Sequence, residues 1–314
     1  MSSSAESTTP TTPTSTEPAN PITTEPEDST EDTETRLVRP PGPPVPTVDS
    51  LITELAWRLV NDRYGFLIFN NVEANVARSL SKELSGNEWE GRNIGFGYDA
   101  RFRQVRLRLA NQFRCAFEYM NGLWKETWAP LLSQDSLKAH FSDSGIPRRR
   151  IDEFDEAYKH CIHEADYCVF PRITGLRSYH FPTFVIQEGT AEMHTYFLRD
   201  KDLWLKGTYG DTNVFMLIEV TKVEDDLIAF MEIWRKDGTN YRYMIIPRPV
   251  NPSPRQPFIT VAELYGKKGV PDGLNPEAEL PLELDRLRLA ILKAARWTTK
   301  GRPKGEPVST VKFF

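Results

Sequence analysis

Nowhere in these 314 residues does an apolar run approach the roughly 18 to 20 residues of a membrane-spanning helix. No secretory leader pattern opens the sequence. A protein of the nucleus or cytoplasm, with no membrane partner, is therefore expected. Cysteine is scarce: Cys115, Cys161 and Cys168 are too few and too scattered for a disulfide framework. His160, Cys161, His163 and Cys168 crowd together, but their spacing fits no common zinc motif and Cys168 continues an apolar run, so they read as core residues. No small-molecule cofactor motif stands out. Basic residues are missing from the first 35 positions, which carry eight acids. With the whole chain at −5, setting those eight aside leaves the remainder at +3, a mildly basic body compatible with a polyanion partner.

Large apolar side chains are the other shortage near the start. Residues 1–48 are mostly Ser, Thr, Pro and acid, and such a segment buries too little surface to offset its ordering entropy. It is expected to be a disordered acidic tail, ending in a Pro-rich connector from Pro40 to Pro46. Roughly 265 residues remain, enough for one large domain or a core with a helical addition. In 49–160 a mainly helical part is expected. Asp49 caps a first helix carrying Leu51, Leu55 and Leu59; Gly65 to Phe69 is a strand; Val72 to Leu84 is a second helix; 85–100, with four glycines, is a loop. Phe102, Val105, Leu109, Phe113, Ala116, Met120 and Leu123 keep a helical period and predict a long helix over 101–128, followed by another at 151–161. A helix over 191–206, a three-stranded meander through 213–223, 227–235 and 240–246, and a helix from Leu284 to Trp297 complete the body, 161–298. Residues 299–314 form a basic tail.

The chemistry concentrates between His163 and Gly207. Asp166 opens the apolar run Tyr167–Phe170, and a second run, Phe181–Ile186, ends in Gln187 and Glu188 just before Gly189. Two strands meeting at their polar ends would gather these side chains. The matching residues Glu164, Asp166, Pro182, Thr183, Val185, Ile186, Gly189, Arg199, Asp200, Leu203, Trp204, Leu205 and Gly207 resemble a fungal group within the PD-(D/E)XK, or restriction-endonuclease-like, nuclease superfamily. The resemblance covers residues 160–250. It implies an α/β fold: a mixed central sheet flanked by helices, with Asp166 and position 187 at adjacent strand ends and Mg²⁺ as cofactor. Gln187 stands where the family has Glu, and Gly189 where the superfamily motif has Lys. Gln brings no charge to a hard cation, which weakens a Mg²⁺ site. If cleavage persists, the resemblance implies Asp166 and Glu188 on the metal with Gln187 beside them; Lys222, on the meander, is a candidate for a displaced catalytic lysine, though surface pairing across strands explains it as well. Neighbouring strand residues face opposite ways, so Glu188 joins Asp166 only through a bulge or past the strand end.

Asp200 falls within the apolar stripe of the 191–206 helix, where a carboxylate needs an internal partner; Arg172 and Arg177 are candidates. Arg103 and Arg114 project from the stripe predicted over 101–128 and are candidate phosphate contacts, though a solvated face paired with Glu118 and Glu126 explains them too. Lys300-Gly301-Arg302-Pro303-Lys304-Gly305 resembles an AT-hook, whose arginine enters the minor groove of A·T-rich DNA; Arg302 and Lys304 are its candidate contacts. A nuclear-import signal or a plain basic tail explains the same residues better. The expected function is a nucleic-acid-binding protein of the nuclease superfamily, its DNA or RNA cleavage weak or lost. The alternative is a non-catalytic protein-interaction scaffold with an acidic tether.

Overall fold

The computed structural model describes residues 45–61, 65–86, 89, 94–109, 115–132, 150–171, 180–224, 226–251 and 255–299. All belong to one compact unit. The tail expected over 1–48 lies, up to residue 44, outside them. Helix α1, Val48–Asn61, begins earlier than Asp49 suggested. Thr47 and Ser50 cap it reciprocally, each backbone N–H donating to the other's hydroxyl at 3.0 and 3.3 Å. With α2, Ala74–Glu83, it covers one face of an all-antiparallel sheet. The strands are β1 Gly65–Phe69, β2 Gly95–Asp99, β3 Gln104–Leu109, β4 Arg150–Ile151 and β5 Ile162–Glu164, in the order β1-β3-β2-β5-β4.

This sheet corrects the mainly helical reading of 49–160. The long helix expected over 101–128 is two elements: β3, then α3, Ala116–Gly122, which continues as a π-helical turn through Leu123–Trp128. Along β3, Val105, Leu107 and Leu109 face the core beneath α1 and α2, while Arg106 and Arg108 face the other way. Period two, not 3.6, governs the segment. The expected loop over 85–100 contains β2, because its glycines make room. A Cβ on Gly95 would lie 2.9 Å from Arg108 Nε, and one on Gly97 3.0 Å from His163 Nε2. The expected helix over 151–161 is also absent. Asp155 donates its N–H to Gly207 O at 2.9 Å, and only a 3₁₀ turn, Glu156–Tyr158, follows.

The second sheet holds β6 Tyr167–Val169, β7 Phe184–Gly189, β8 Val214–Val223, β9 Asp226–Arg235 and β10 Asn240–Ile246, in the order β10-β9-β8-β7-β6. The β8–β9–β10 meander follows the sequence expectation. Strands β7 and β8 run parallel, so the chain must cross over between them. Helix α4, His194–Lys206, makes that crossing and buries Phe197, Leu203 and Trp204 against Val185, Phe215, Leu217 and Trp234. The opposite face, including Met216, Ile218, Met231 and Ile233, is covered by α3 and its extension, by α5, Val261–Tyr265, and by α6, Leu284–Thr299. A two-stranded ladder, β11 Phe258–Thr260 with β12 Glu279–Pro281, closes that side. The architecture is mixed α/β. No helix among the described residues is long and apolar enough to cross a membrane.

Candidate functional site

Antiparallel pairing of β6 with β7 sets Tyr167 opposite Ile186, so the start of one strand meets the end of the other. Asp166 donates its N–H to Ile186 O at 3.1 Å, and its Oδ2 accepts the Glu188 N–H at 2.8 Å. Asp166 is therefore held against the backbone at the end of β7. What surrounds it differs from a metal centre. Arg108 Nη1 reaches across from the first sheet to pair with Asp166 Oδ2 and to donate to Glu188 O at 3.0 Å. Burial opposes the Arg108 charge, but Asp166 beside it holds the guanidinium above its ordinary pKa.

Strand alternation then splits the neighbours. Gln187 points toward α4 and Glu188 toward α3, where its carboxylate accepts the N–H groups of Ala116 and, at 3.3 Å, Cys115. Burial, aided by the Asp166 charge, pushes the Glu188 carboxyl up to about 8. Its oxygens already accept two backbone N–H groups and burial favours its neutral form, neither of which suits a ligand of a hard cation. Gly189, the place of the motif lysine, is closed: a Cβ there would meet the Phe197 ring at 2.3 Å and Met193 Sδ at 3.2 Å. Lys222 is not brought to the cluster. It is exposed on β8, three residues beyond Glu219, the register partner of Gly189.

Gln187 Oε1 is buried without a hydrogen-bond partner. The cavity it lines has room for about one water, roughly 20 Å³, and is shared by Arg106, Arg108, His163 and Asp200. With two guanidinium groups on its wall, this pocket does not fit Mg²⁺. Among the described residues no three His, Cys, Asp or Glu side chains are grouped to hold one.

Asp200 is buried, as its place in the α4 stripe requires, and its partners were not foreseen. Arg106 Nη2 lies 2.5 Å and His163 Nε2 2.9 Å from its Oδ1. Burial would raise the Asp200 pKa, but Arg106 and His163 outweigh it and hold the group well below the usual carboxylate range. Arg172 and Arg177, proposed for this role, lie outside the described residues, as do Arg114, Arg302 and Lys304. Arg103 is described: it is exposed at the β2–β3 turn and paired with Glu73. Arg106 and Arg108 were signalled by the alternation Val-Arg-Leu-Arg-Leu over 105–109, which a helical reading hides.

The crowded cysteines and histidines separate accordingly. Cys161 and Cys168 are buried in the core under α4, while His163 serves Asp200. The site is thus a salt-bridged joint between two sheets, polar where a nuclease would be open to phosphate. No protein-family model, curated protein or solved structure matches this chain.

Proposed function

We propose that this chain is a nucleic-acid-binding protein of the PD-(D/E)XK type whose phosphodiester-cutting chemistry has been lost. The observation that carries the loss is the Arg108–Asp166 pair. An internal cation occupies the carboxylate that a divalent metal would need, and any metal would have to displace a buried, hydrogen-bonded guanidinium. Gln187 and Phe197 complete the conversion, removing one anionic ligand and filling the lysine's place. Binding without cutting is supported by the resemblance over 160–250 and by the basic balance of the body.

Two measurements test this together. Labelled DNA and RNA incubated with the full chain and Mg²⁺ or Mn²⁺ should remain intact. Anisotropy titrations should show binding that falls steeply on a log–log plot as salt rises. Cleavage that disappears in Asp166→Ala would overturn the loss of chemistry, and no binding at low salt would overturn the nucleic-acid reading. The second reading, a protein-interaction scaffold, has in its favour the edge strand β10, whose Tyr241 and Met244 side chains are exposed. That reading gives little nucleic-acid binding at any salt.

A further inference from the structure

The hairpin joining β2 to β3 ends in Arg101-Phe102-Arg103, and its tip is held from several sides. Arg101 grips Asp99 through Nε at 3.0 Å and Nη2 at 2.8 Å, and donates its backbone N–H to the same carboxylate at 3.1 Å. Val72 donates to Arg103 O at 2.8 Å, fixing Arg103 in the left-handed region at φ 50°. On this base Phe102 stands 49 % exposed. Its ring is part of a column of alternating aromatic rings and guanidinium groups. Arg101 lies 4.4 Å from the Tyr158 ring and 5.5 Å from Phe102; Arg199, from α4, lies 4.2 Å from Phe102 and 5.7 Å from Tyr196; Arg106 lies 5.7 Å from Tyr196. The column runs from the buried Tyr158 through the solvent-facing hairpin to the buried Asp200 pair, so Phe102 is its exposed middle.

Charge on this surface is not balanced. Arg101 is matched by Asp99 and Arg103 by Glu73, but among the described residues Arg199 has no acidic partner. The Arg103–Glu73 pair is about half exposed on both sides, so water screens it and a phosphate can replace the carboxylate at little cost. A duplex offers phosphates to such a surface but hides its base faces. Only an unpaired base can lay its face against the exposed part of the Phe102 ring.

We infer that the β2–β3 tip, Phe102 with Arg101, Arg103 and Arg199, is a docking surface for single-stranded nucleic acid: a base stacks on the exposed part of the Phe102 ring and flanking phosphates meet the arginines. The inference rests on the nucleic-acid reading above and places the contact outside the water-sized cavity of the motif residues. Binding here asks nothing of Asp166, Gln187 or a metal.

The test uses the full chain with fluorescent oligothymidylate, oligouridylate and a mixed-sequence duplex. Both single strands should bind more tightly than the duplex, because stacking and phosphate contacts do not depend on the sugar. Phe102→Ala should weaken single-strand binding roughly 5- to 150-fold, the range for loss of one base stack. Phe102→Trp, which keeps a stacking face, should retain it. Arg199→Gln should lower the log–log salt slope by about 0.7, as loss of one phosphate contact on a single strand requires. Melting temperatures of the variants control for folding. Single-strand binding unchanged in Phe102→Ala, or duplex binding as tight as single-strand binding, would overturn the inference and leave the broader reading standing. Failure of all three probes to bind at low salt would instead remove the broader reading itself.

Discussion

Removing the Asp200 carboxylate should expose how much the joint between the sheets depends on one ion pair. In Asp200→Ala the Arg106 guanidinium stays buried, its side chain only 5 % exposed, and loses the oxygen 2.5 Å away. Breaking a buried pair from one side costs about 3–5 kcal/mol, because the surviving charge cannot reach water. For a body of this size, each kcal/mol lowers the melting temperature by about 2–4 °C, so the variant should melt about 6–20 °C below wild type. The pH dependence has a definite sign. Asp200 is held below the ordinary value of 3.8, so its stabilisation is complete above that value and drains away as pH falls through the lower folded pKa. The gap between wild type and variant should therefore be full at neutral pH and close in acid. Urea denaturation across the acid range reads both quantities. The double variant Arg106→Leu/Asp200→Leu should recover most of the loss, since apolar replacement of a whole buried pair is often neutral. A deficit under about 1 kcal/mol in Asp200→Ala, or a double variant worse than the single, would refute the argument.

Glu188 should impose the opposite trend. Its carboxyl is raised from 4.5 to about 8, so its contribution is fully present below 4.5 and is lost as pH rises through about 8. Glu188→Gln, neutral at every pH, should flatten the stability curve over that window, and parallel denaturation curves for the two proteins would contradict it. Gly189→Ala places a methyl 2.3 Å from the Phe197 ring and should destabilise by about 1–3 kcal/mol, with Phe197→Leu in the same chain recovering part of it. A neutral Gly189→Ala would mean that the ring moves freely. Thr260 and Glu263 form a reciprocal cap on α5, so Thr260→Ala should cost about 0.5–2 kcal/mol in thermal melts, and no change would discount that cap.

Local pattern carried much of the fold. The meander, α4 and α6 are legible because alternation, caps and turn residues agree within each segment, and the pairing of β6 with β7 follows from two short apolar runs with polar ends. What stayed hidden was non-local. Arg106 meets Asp200 across 94 positions of sequence, a pairing no spacing rule reports. Strand β2 reads as a loop because glycines mark turns, whereas Gly95 and Gly97 are small so that Arg108 and His163 can lie across them. Strand β3 read as helix because its inward arginines look like a solvated face until a second sheet is set against them. In each case the misleading residue serves the joint between sheets, where polar side chains do what apolar ones do elsewhere in the core.

Phe197 gives this joint a direction in time. Suppose the chain descends from a working nuclease and selection later favoured cutting again. A lysine at 189 would collide with the ring; a glutamate at 187 would enter a pocket walled by two arginines and form ion pairs before it held a metal; freeing Asp166 would strand Arg108. Each step alone lowers stability or changes nothing, and only several together restore a ligand set. The loss would then behave as a ratchet, and new activity would be easier to build at a different surface than to recover at the old one.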